Sequence, residues 1–360
     1  MEAAINRNVF KLFGLMPIVA PSGGALWKTL LNIAYSLCLI LFLLAQQVMI
    51  YQIHLERDFA GLFISTIMLL TSIVILVQAL LSAKGLQVLL GELAEIEHAT
   101  QSSRLAAGTA GRTRYSVMFY ITYLVGVSRG IYRTVLMVYL DMRKVWIALQ
   151  LLVPSLIILA RINQQIHLME LFAGQLERLV DELALLFDDD YGHDGQLISA
   201  DAVTRYRVGK TIQRMEHIFG RLQKCLILFN DLFGWSTAAL VVFAFVNITF
   251  QFRSPMKPLP VHAQLVDIFY TIMWLLFLCH ASSDTTTKVN ETRRLLLKPF
   301  YHASLWEQIH NFIVRIQLQP FEFTANGLYS INYGLFSSTL AASATYIVIM
   351  FQFDQKVLEV

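Results

Sequence analysis

The amino-acid sequence predicts an all-α membrane protein with seven transmembrane helices. Of its 360 residues, 56% are hydrophobic and 15% are charged, whereas soluble domains average about 45–50% and about 25%. The apolar residues form seven runs, each close to the ~20 residues that an α-helix needs to cross a bilayer. Backbone groups in lipid must bond within their own segment, and the runs lack the alternation of barrel strands, so each run is predicted to be a helix.

The predicted spans are distributed along the whole chain, so residues 1–360 are interpreted as a single domain. They comprise residues 29–53, 59–81, 115–139, 145–160 with a continuation, 226–250, 262–280 and 330–353. The connections on one side of the membrane are short, and those on the other side are long.

The distribution of basic residues predicts a cytoplasmic N-terminus. Of the 28 lysines and arginines, twenty lie on the side of the membrane that holds the N-terminus and six lie on the opposite side. The other two, Arg129 and Arg133, lie within the third span. Because cytoplasmic loops carry the excess of lysine and arginine, the N-terminal side is the cytoplasm, and seven spans place the C-terminus outside.

The long connections are predicted to be helical extensions of the spans. After span four, apolar residues recur at spacings of three and four up to a polar turn at 188–195. A return helix is expected from Ala202, and an amphipathic stretch at 305–316 precedes span seven. We therefore expect a cytoplasmic helical anchor built from 161–225 and 281–325. The alternative is a set of membrane-surface helices that do not meet.

Two arginines inside span three predict a polar site in the outer half of the membrane. Arg129 and Arg133 are four residues apart and share a helix face, and a charge inside a bilayer usually faces a cavity or a partner. Asp267 in span six is a candidate partner. Apolar walls with a few polar groups are typical of a small-molecule pocket; the alternative is a structural ion pair beside an interfacial aromatic belt. The candidate pocket residues are Arg129, Tyr132, Arg133, Trp146, Gln150, Asp267, Tyr270 and Trp274.

One face of span seven combines small and polar side chains. Thr345 and Gln352 are seven residues apart and return to nearly the same side of a helix. Ser338 and Ala341 extend this face towards the inner end. Such a stripe suits a helix that lines a water path, and it also suits close packing between helices.

The C-terminal sequence resembles the signature of the insect gustatory receptor family. From Thr345 to Phe353 it reads Thr-Tyr, five apolar residues and Gln-Phe, and the stretch from Phe323 to Asn332 is similar to that family's lead-in. Asn332 departs from the pattern, since many members carry an acidic residue there. The resemblance implies a tetrameric, ligand-gated cation channel whose last helix, 330–353, surrounds the pore.

The resemblance also implies roles for individual residues of this pore helix. Thr345 and Tyr346 belong to the signature, and Gln352 and Phe353 would form the gate near the exterior mouth. Phe353 would exclude water from the closed pore, and Gln352 would hydrate ions in the open one. Four copies of Asp354 would make an acidic ring that favours cations; the alternative is a solvated residue that ends the helix. The family places its ligand pocket in the outer leaflet, among spans two to six.

Other functional classes find less support in the sequence. The net charge of +3 is small and indicates no nucleic-acid partner. No arrangement of residues suggests catalysis, and the three cysteines and nine histidines show no paired spacing, so we expect no enzyme activity, metal or cofactor. A G-protein-coupled receptor, which would have its N-terminus outside, and a transporter, which would show inverted repeats, are the alternative functions.

The sequence is therefore interpreted as a gustatory receptor in the plasma membrane of sensory neurons. Its ligand would be a small-molecule tastant, and the chain length, short for a sugar-sensing relative, favours bitter or other aversive compounds. The subunits would form a homotetramer, or a heterotetramer with related receptor subunits, within the lipid bilayer.

The predicted orientation can be tested with epitope tags at the two termini. We expect a C-terminal tag to be stained on intact cells and an N-terminal tag only after permeabilisation, because the basic residues stay in the cytoplasm. Staining of a cytoplasmic marker protein controls for membrane integrity. The reverse pattern would contradict this topology and favour a G-protein-coupled receptor.

Overall fold

The computed structural model describes residues 10–16, 26–54, 59–101, 112–140, 145–190, 202–253, 261–297 and 303–358, and these ranges are almost entirely helical. Their nine long helices are α1 (Leu26–His54), α2 (Phe59–Leu81), α3 (Ala83–Gln101), α4 (Arg112–Leu140), α5 (Val145–Asp190), α6 (Ala202–Arg253), α7 (Val261–Leu296), α8 (Ala303–Leu318) and α9 (Tyr333–Leu358). Within the same ranges, an isolated bridge between Thr324 and Ser330 is the nearest approach to β-structure.

All seven predicted spans are helical, which confirms the all-α membrane fold. Six of the described helices are long and apolar enough to cross a membrane, and α4 covers the third predicted span. α2 begins and ends at the predicted residues, Phe59 and Leu81. α5 passes through Pro154 and continues to Asp190, where the polar turn was predicted.

The long helices extend beyond a membrane span and pack against one another there. α5 has 46 residues and α6 has 52, more than twice the ~20 that a span requires. α3 packs on α5 and α6, and α8 packs on α6 and α7, so the extensions and the spans share one hydrophobic core. The described extensions therefore form a bundle, in contrast to separate surface helices; their cytoplasmic location stays a prediction.

Helix α3 was not identified from the sequence, although its pattern is present there. Leu86, Leu89 and Leu93 recur at helical spacing and are buried in the core. On its polar side, Glu92 accepts a hydrogen bond from Arg221 of α6 at 2.6 Å. α3 is thus an amphipathic helix whose buried face completes the bundle.

A cluster of buried phenylalanines holds the segment that leads into α9. The ring of Phe323 in this segment lies 5.6 Å from that of Phe172 in α5 and 4.9 Å from that of Phe229 in α6. The ring of Phe321 lies 6.1 Å from that of Phe172. Edge contacts of this kind contribute about 0.5–1.5 kcal/mol per pair beyond the burial of area. The base of α9 is therefore attached to α5 and α6.

A close backbone contact attaches the same segment to α6. Asn326 has a left-handed φ of 50°, and its backbone N would lie 2.6 Å from a Cβ atom placed on Gly234. One helical turn earlier, the Asn230 side chain donates to the Glu322 carbonyl at 3.1 Å and accepts from the Thr324 N–H at 3.0 Å. Only glycine at position 234 allows this approach.

Substitution of this glycine should destabilise the protein although alanine favours helices. We expect Gly234→Ala to lower the melting temperature of the detergent-solubilised protein, because the added methyl group overlaps the Asn326 backbone; overpacking of this kind costs about 1–3 kcal/mol.

Gly91→Ala in α3 is the matched control, since a Cβ atom there meets nothing within 4 Å. It should stabilise the protein by about 0.5–1 kcal/mol, the usual gain of alanine over glycine within a helix. Equal melting temperatures for the two variants would contradict the close contact at Gly234.

Candidate functional site

The two arginines predicted inside span three both contact Asp267. Arg129 Nε donates to Asp267 Oδ1 at 2.5 Å, and Arg133 Nη1 lies 3.3 Å from Asp267 Oδ2. The arginine side chains are 14% and 25% exposed, and the Asp267 side chain is 7% exposed. Asp267, the candidate partner suggested by the sequence, therefore contacts both arginines and links α4 to α7.

A chain of buried polar groups extends from Asp267 into α6. Gln251 Nε2 donates to Asp267 Oδ2 at 3.4 Å and to Asn247 Oδ1 at 3.2 Å. Asn247 Nδ2 donates to Thr271 Oγ1 at 2.8 Å, and Thr271 Oγ1 donates to the Asp267 carbonyl at 2.8 Å. Gln251 and Thr271 were missed in the sequence analysis. The feature that could have identified them is a polar side chain in a mostly apolar segment, at the membrane depth of Asp267.

Aromatic side chains surround this polar chain on α4 and α7. The Arg129 guanidinium lies 4.8 Å from the centroid of the Tyr270 ring, and the Tyr132 ring lies 6.3 Å from the ring of His262. Trp274 is completely buried one helical turn further along α7, in the packed core. Two predicted members of the site have side chains outside the described residues: Trp146 and Gln150.

The charges of this site are not balanced among its three ionised side chains. Two arginines share the one carboxylate of Asp267, so a positive charge is left over among these three side chains. The buried Nε of Arg133 has no hydrogen-bond partner among the described residues. A buried donor without an acceptor is costly, and the acceptor group of a small molecule would relieve that cost. The Arg133 Nε donor is thus the group of this site that is free to meet a further acceptor.

A further arginine is fully buried within the bundle and was not recognised from the sequence as buried. Arg161 of α5 is 1% exposed. It donates to Ser236 Oγ at 3.0 Å, to Gln164 Oε1 at 2.9 Å and to the Leu232 carbonyl at 3.0 Å. Its guanidinium also lies 4.0 Å from the centroid of the Phe233 ring. These partners are all uncharged, so this site is structural in character and links α5 to α6.

The stripe predicted on span seven is exposed in the structure. Ser338, Ala341, Thr345 and Gln352 are exposed, whereas the neighbouring face of α9 packs on α6 and α7. Tyr346 is 53% exposed and its ring makes an edge contact with that of Phe245, at 5.4 Å between centroids. The predicted gate residues Phe353 and Asp354 lie on α9, with side chains outside the described residues. The stripe is thus not used for helix packing within the described part of this chain.

The inner end of α9 is held by two specific contacts. Asn332 caps the helix, since its Oδ1 accepts from the Leu335 N–H at 3.0 Å. Tyr333, the first residue of α9, bonds through its hydroxyl to Nδ1 of His280 in α7 at 2.6 Å. Asn332, which departs from the family pattern, therefore acts as the N-cap of α9.

Comparison with known proteins places the fold among chemosensory receptors. The model of the family described as 7tm Chemosensory receptor matches residues 5–357. The structure is similar to that of the insect olfactory receptor OR5 from Machilis hrabei, with a TM-score of 0.74, 12% identity and 98% of each chain covered. The same receptor in complex with eugenol matches with a TM-score of 0.74, 12% identity and 97% of each chain. No curated protein sequence gives a significant match.

Loss of the shared carboxylate should destabilise the protein strongly. We expect Asp267→Asn to reduce thermal stability in detergent by about 3–5 kcal/mol, the usual effect of removing one partner of a buried ion pair, because two guanidinium groups lose their counterion. Fluorescence-detected size exclusion after heating measures the fraction that remains folded.

The matched control is Arg178→Gln, which removes a more exposed pair: Arg178 and Glu97 are 29% and 36% exposed and 3.4 Å apart. Exposed pairs contribute about 0–1 kcal/mol. If Asp267→Asn costs no more stability than Arg178→Gln, the carboxylate does not hold α4 against α7.

Proposed function

The chain belongs to the 7tm chemosensory receptor family, whose model matches residues 5–357, and we propose that it is a gustatory receptor that opens a nonselective cation channel when a small-molecule tastant binds. Family membership supports the receptor role, and the signature from Thr345 to Phe353 supports the gustatory branch. The chain is a multi-pass membrane protein, and we assign it to the plasma membrane of sensory neurons.

The uncovered face of α9 is the observation that carries the channel proposal. Only 11% of the residues in the most apolar stretch of α9 are buried, whereas 67% are buried in the corresponding stretch of α6. The stripe from Ser338 to Gln352 consists of small and polar side chains, and polar groups on a membrane helix normally face a partner or a water-filled space. Further copies of the chain around one axis would turn this stripe towards a pore. The family resemblance supports four subunits, either identical or related.

The outer end of α9 is the part that we assign to the gate. Gln352 is exposed on the same face as Thr345, so in a ring of subunits both side chains would reach the pore axis. Phe353 would close the pore as an apolar constriction that expels water, and the Gln352 amide would replace part of an ion's hydration shell. Asp354 would add negative charge at the mouth and favour cations.

The site around Arg133 and Asp267 is the one that we assign to the tastant. It combines a buried donor, aromatic side chains and a fixed carboxylate, the composition of a small-molecule pocket. The Machilis hrabei receptor was solved in complex with eugenol, which supports binding of a small molecule by this fold. The unpaired Arg133 Nε favours tastants with a hydrogen-bond acceptor, and we include bitter and other aversive compounds among them.

The channel proposal is tested by substitutions at the outer end of α9. We expect Phe353→Ala to raise the ligand-independent current, because a smaller side chain weakens the dewetted constriction. Gln352→Ala should change the relative cation permeability with little change in agonist sensitivity. The measurement is whole-cell current in exchanged external cations, at matched surface expression and against a panel of alkaloids and sugars.

Two controls separate the gate from the ligand site. Phe351→Ala removes a phenylalanine that is 55% exposed on a different side of α9, and it should leave basal current near that of the parent. Arg133→Ala should shift the agonist dose response without altering permeability ratios. Parent-like basal current and permeability in both gate variants would show that α9 does not line the pore.

A further inference from the structure

A cavity with several polar lining residues lies between α7 and the segment that leads into α9. Its volume is about 250 Å³, below the about 300–1,000 Å³ of pockets that hold drug-sized ligands. Two serines and two threonines of α7 line one wall. The other wall is lined by Glu322, Phe323, Ser330, Ile331 and Asn332. The predicted topology puts the cavity at the cytoplasmic edge of the bilayer, at the opposite end of α7 from Asp267.

Three of the hydroxyls that line the cavity already donate their hydrogen within the protein. Thr286 Oγ1 donates to the Ser282 carbonyl at 3.3 Å, Thr287 Oγ1 donates to the Ser283 carbonyl at 2.9 Å, and Ser330 Oγ donates to Glu322 Oε2 at 2.8 Å. A hydroxyl whose hydrogen is already donated can still accept through its lone pairs, and an ionised carboxylate can only accept. These three hydroxyls and the Glu322 carboxylate therefore suit a ligand that brings hydrogen-bond donors.

The charge of the cavity is also unbalanced. Glu322 is the one charged residue among its lining side chains, and the ion pairs of the described residues give it no basic partner within 4.0 Å. A calcium ion would need about 6–8 oxygen ligands at about 2.3–2.6 Å, more than one carboxylate in this open space supplies. A primary ammonium group carries a positive charge, three donors and no acceptor, and it matches both the charge and the acceptors.

We propose that this cavity binds a primary ammonium group, carried by a small soluble amine or by the headgroup of a phospholipid. Both sources present the same chemistry at the inner face of the membrane. Asn332 lines the cavity and also caps α9 through the Leu335 N–H. An ammonium ligand at this position would therefore lie beside the first turn of α9.

Binding is measured on the full-length protein in detergent, without any recording of current. The probes are ethanolamine, choline and ethylene glycol at equal ionic strength, followed by saturation-transfer NMR and by the melting temperature. Ethanolamine should bind saturably and raise the melting temperature. Choline, in which methyl groups replace the N–H donors, and uncharged ethylene glycol should do neither. Equal binding of choline would overturn the proposal, and so would the absence of saturable ethanolamine binding.

Two substitutions in the cavity have matched controls elsewhere. Glu322→Gln removes the charge and still accepts from Ser330, and it should weaken ethanolamine binding about tenfold or more, as expected for loss of a charge-assisted bond. Glu307→Gln, an exposed position on α8, should not change it. Parent-like affinity in Glu322→Gln would contradict the assignment.

The second pair of variants changes a hydroxyl and leaves the charge in place. Thr287→Val removes one acceptor from the cavity, whereas Thr292→Val removes a hydroxyl that makes the same bond to a carbonyl four residues earlier, at 2.9 Å in both cases. Ethanolamine binding should weaken in the first variant alone. Equal affinities in these two variants would overturn the placement of the ligand against α7.

Lipid nanodiscs then distinguish the two sources of the ammonium group. If the headgroup is the ligand, nanodiscs that contain phosphatidylethanolamine should suppress the binding of free ethanolamine, relative to nanodiscs of phosphatidylcholine alone. If a soluble amine is the ligand, free ethanolamine should bind equally in both. Each of these two results supports the ammonium site and identifies which molecule carries the ammonium group. Failure of the channel recordings would leave this binding result unaffected.

Discussion

The packing of the helices depends on Arg161, a buried charge without a carboxylate partner among the described residues. An isolated buried charge is very costly unless hydrogen bonds compensate it. Arg161 obtains that compensation from a hydroxyl, an amide and a carbonyl oxygen, and from the face of Phe233. Two of these oxygen acceptors belong to α6. A shift of α6 along α5 would remove two of the three acceptors of the guanidinium, so this one side chain favours a single register between the two longest helices.

The same turn of α6 also contacts α2 and the segment before α9. The Leu232 carbonyl, which a regular helix would offer to the Ser236 N–H, accepts from Arg161, and the Ser236 N–H donates to Gln78 Oε1 of α2 at 2.6 Å. Gly234 lies between these two residues, where the Asn326 backbone approaches. One turn of helix thus joins three elements, and the polar groups that it exposes inside the bundle are satisfied by side chains from its neighbours.

The sequence predicts the spans well because a lipid environment requires long apolar helices. The ends of α2 and the end of α5 at Asp190 agree with the predicted residues, and the resemblance at Thr345 to Phe353 is confirmed at the level of the chemosensory receptor family. The contact of Arg129 with Asp267 follows from the same constraint, since few residues can neutralise a charge inside a membrane. Arg161 and Gln251 could not be assigned partners from the sequence, because their partners depend on how helices distant in the chain are packed. α3 was overlooked because it is too polar for a span, although its leucines have helical spacing.

The rigid attachment at the base of α9 has a mechanical consequence. Tyr333 and Phe323 attach that end to α7, α5 and α6, so a tilt of the helix would pivot there. Gln352 lies nineteen residues after Tyr333, which corresponds to about 28 Å along the helix at about 1.5 Å per residue. A tilt of about 5° around the pivot would displace it by roughly 2.5 Å, about the radius of the helix backbone. Small tilts at the base of α9 would therefore be magnified at its far end without any change in the helix itself.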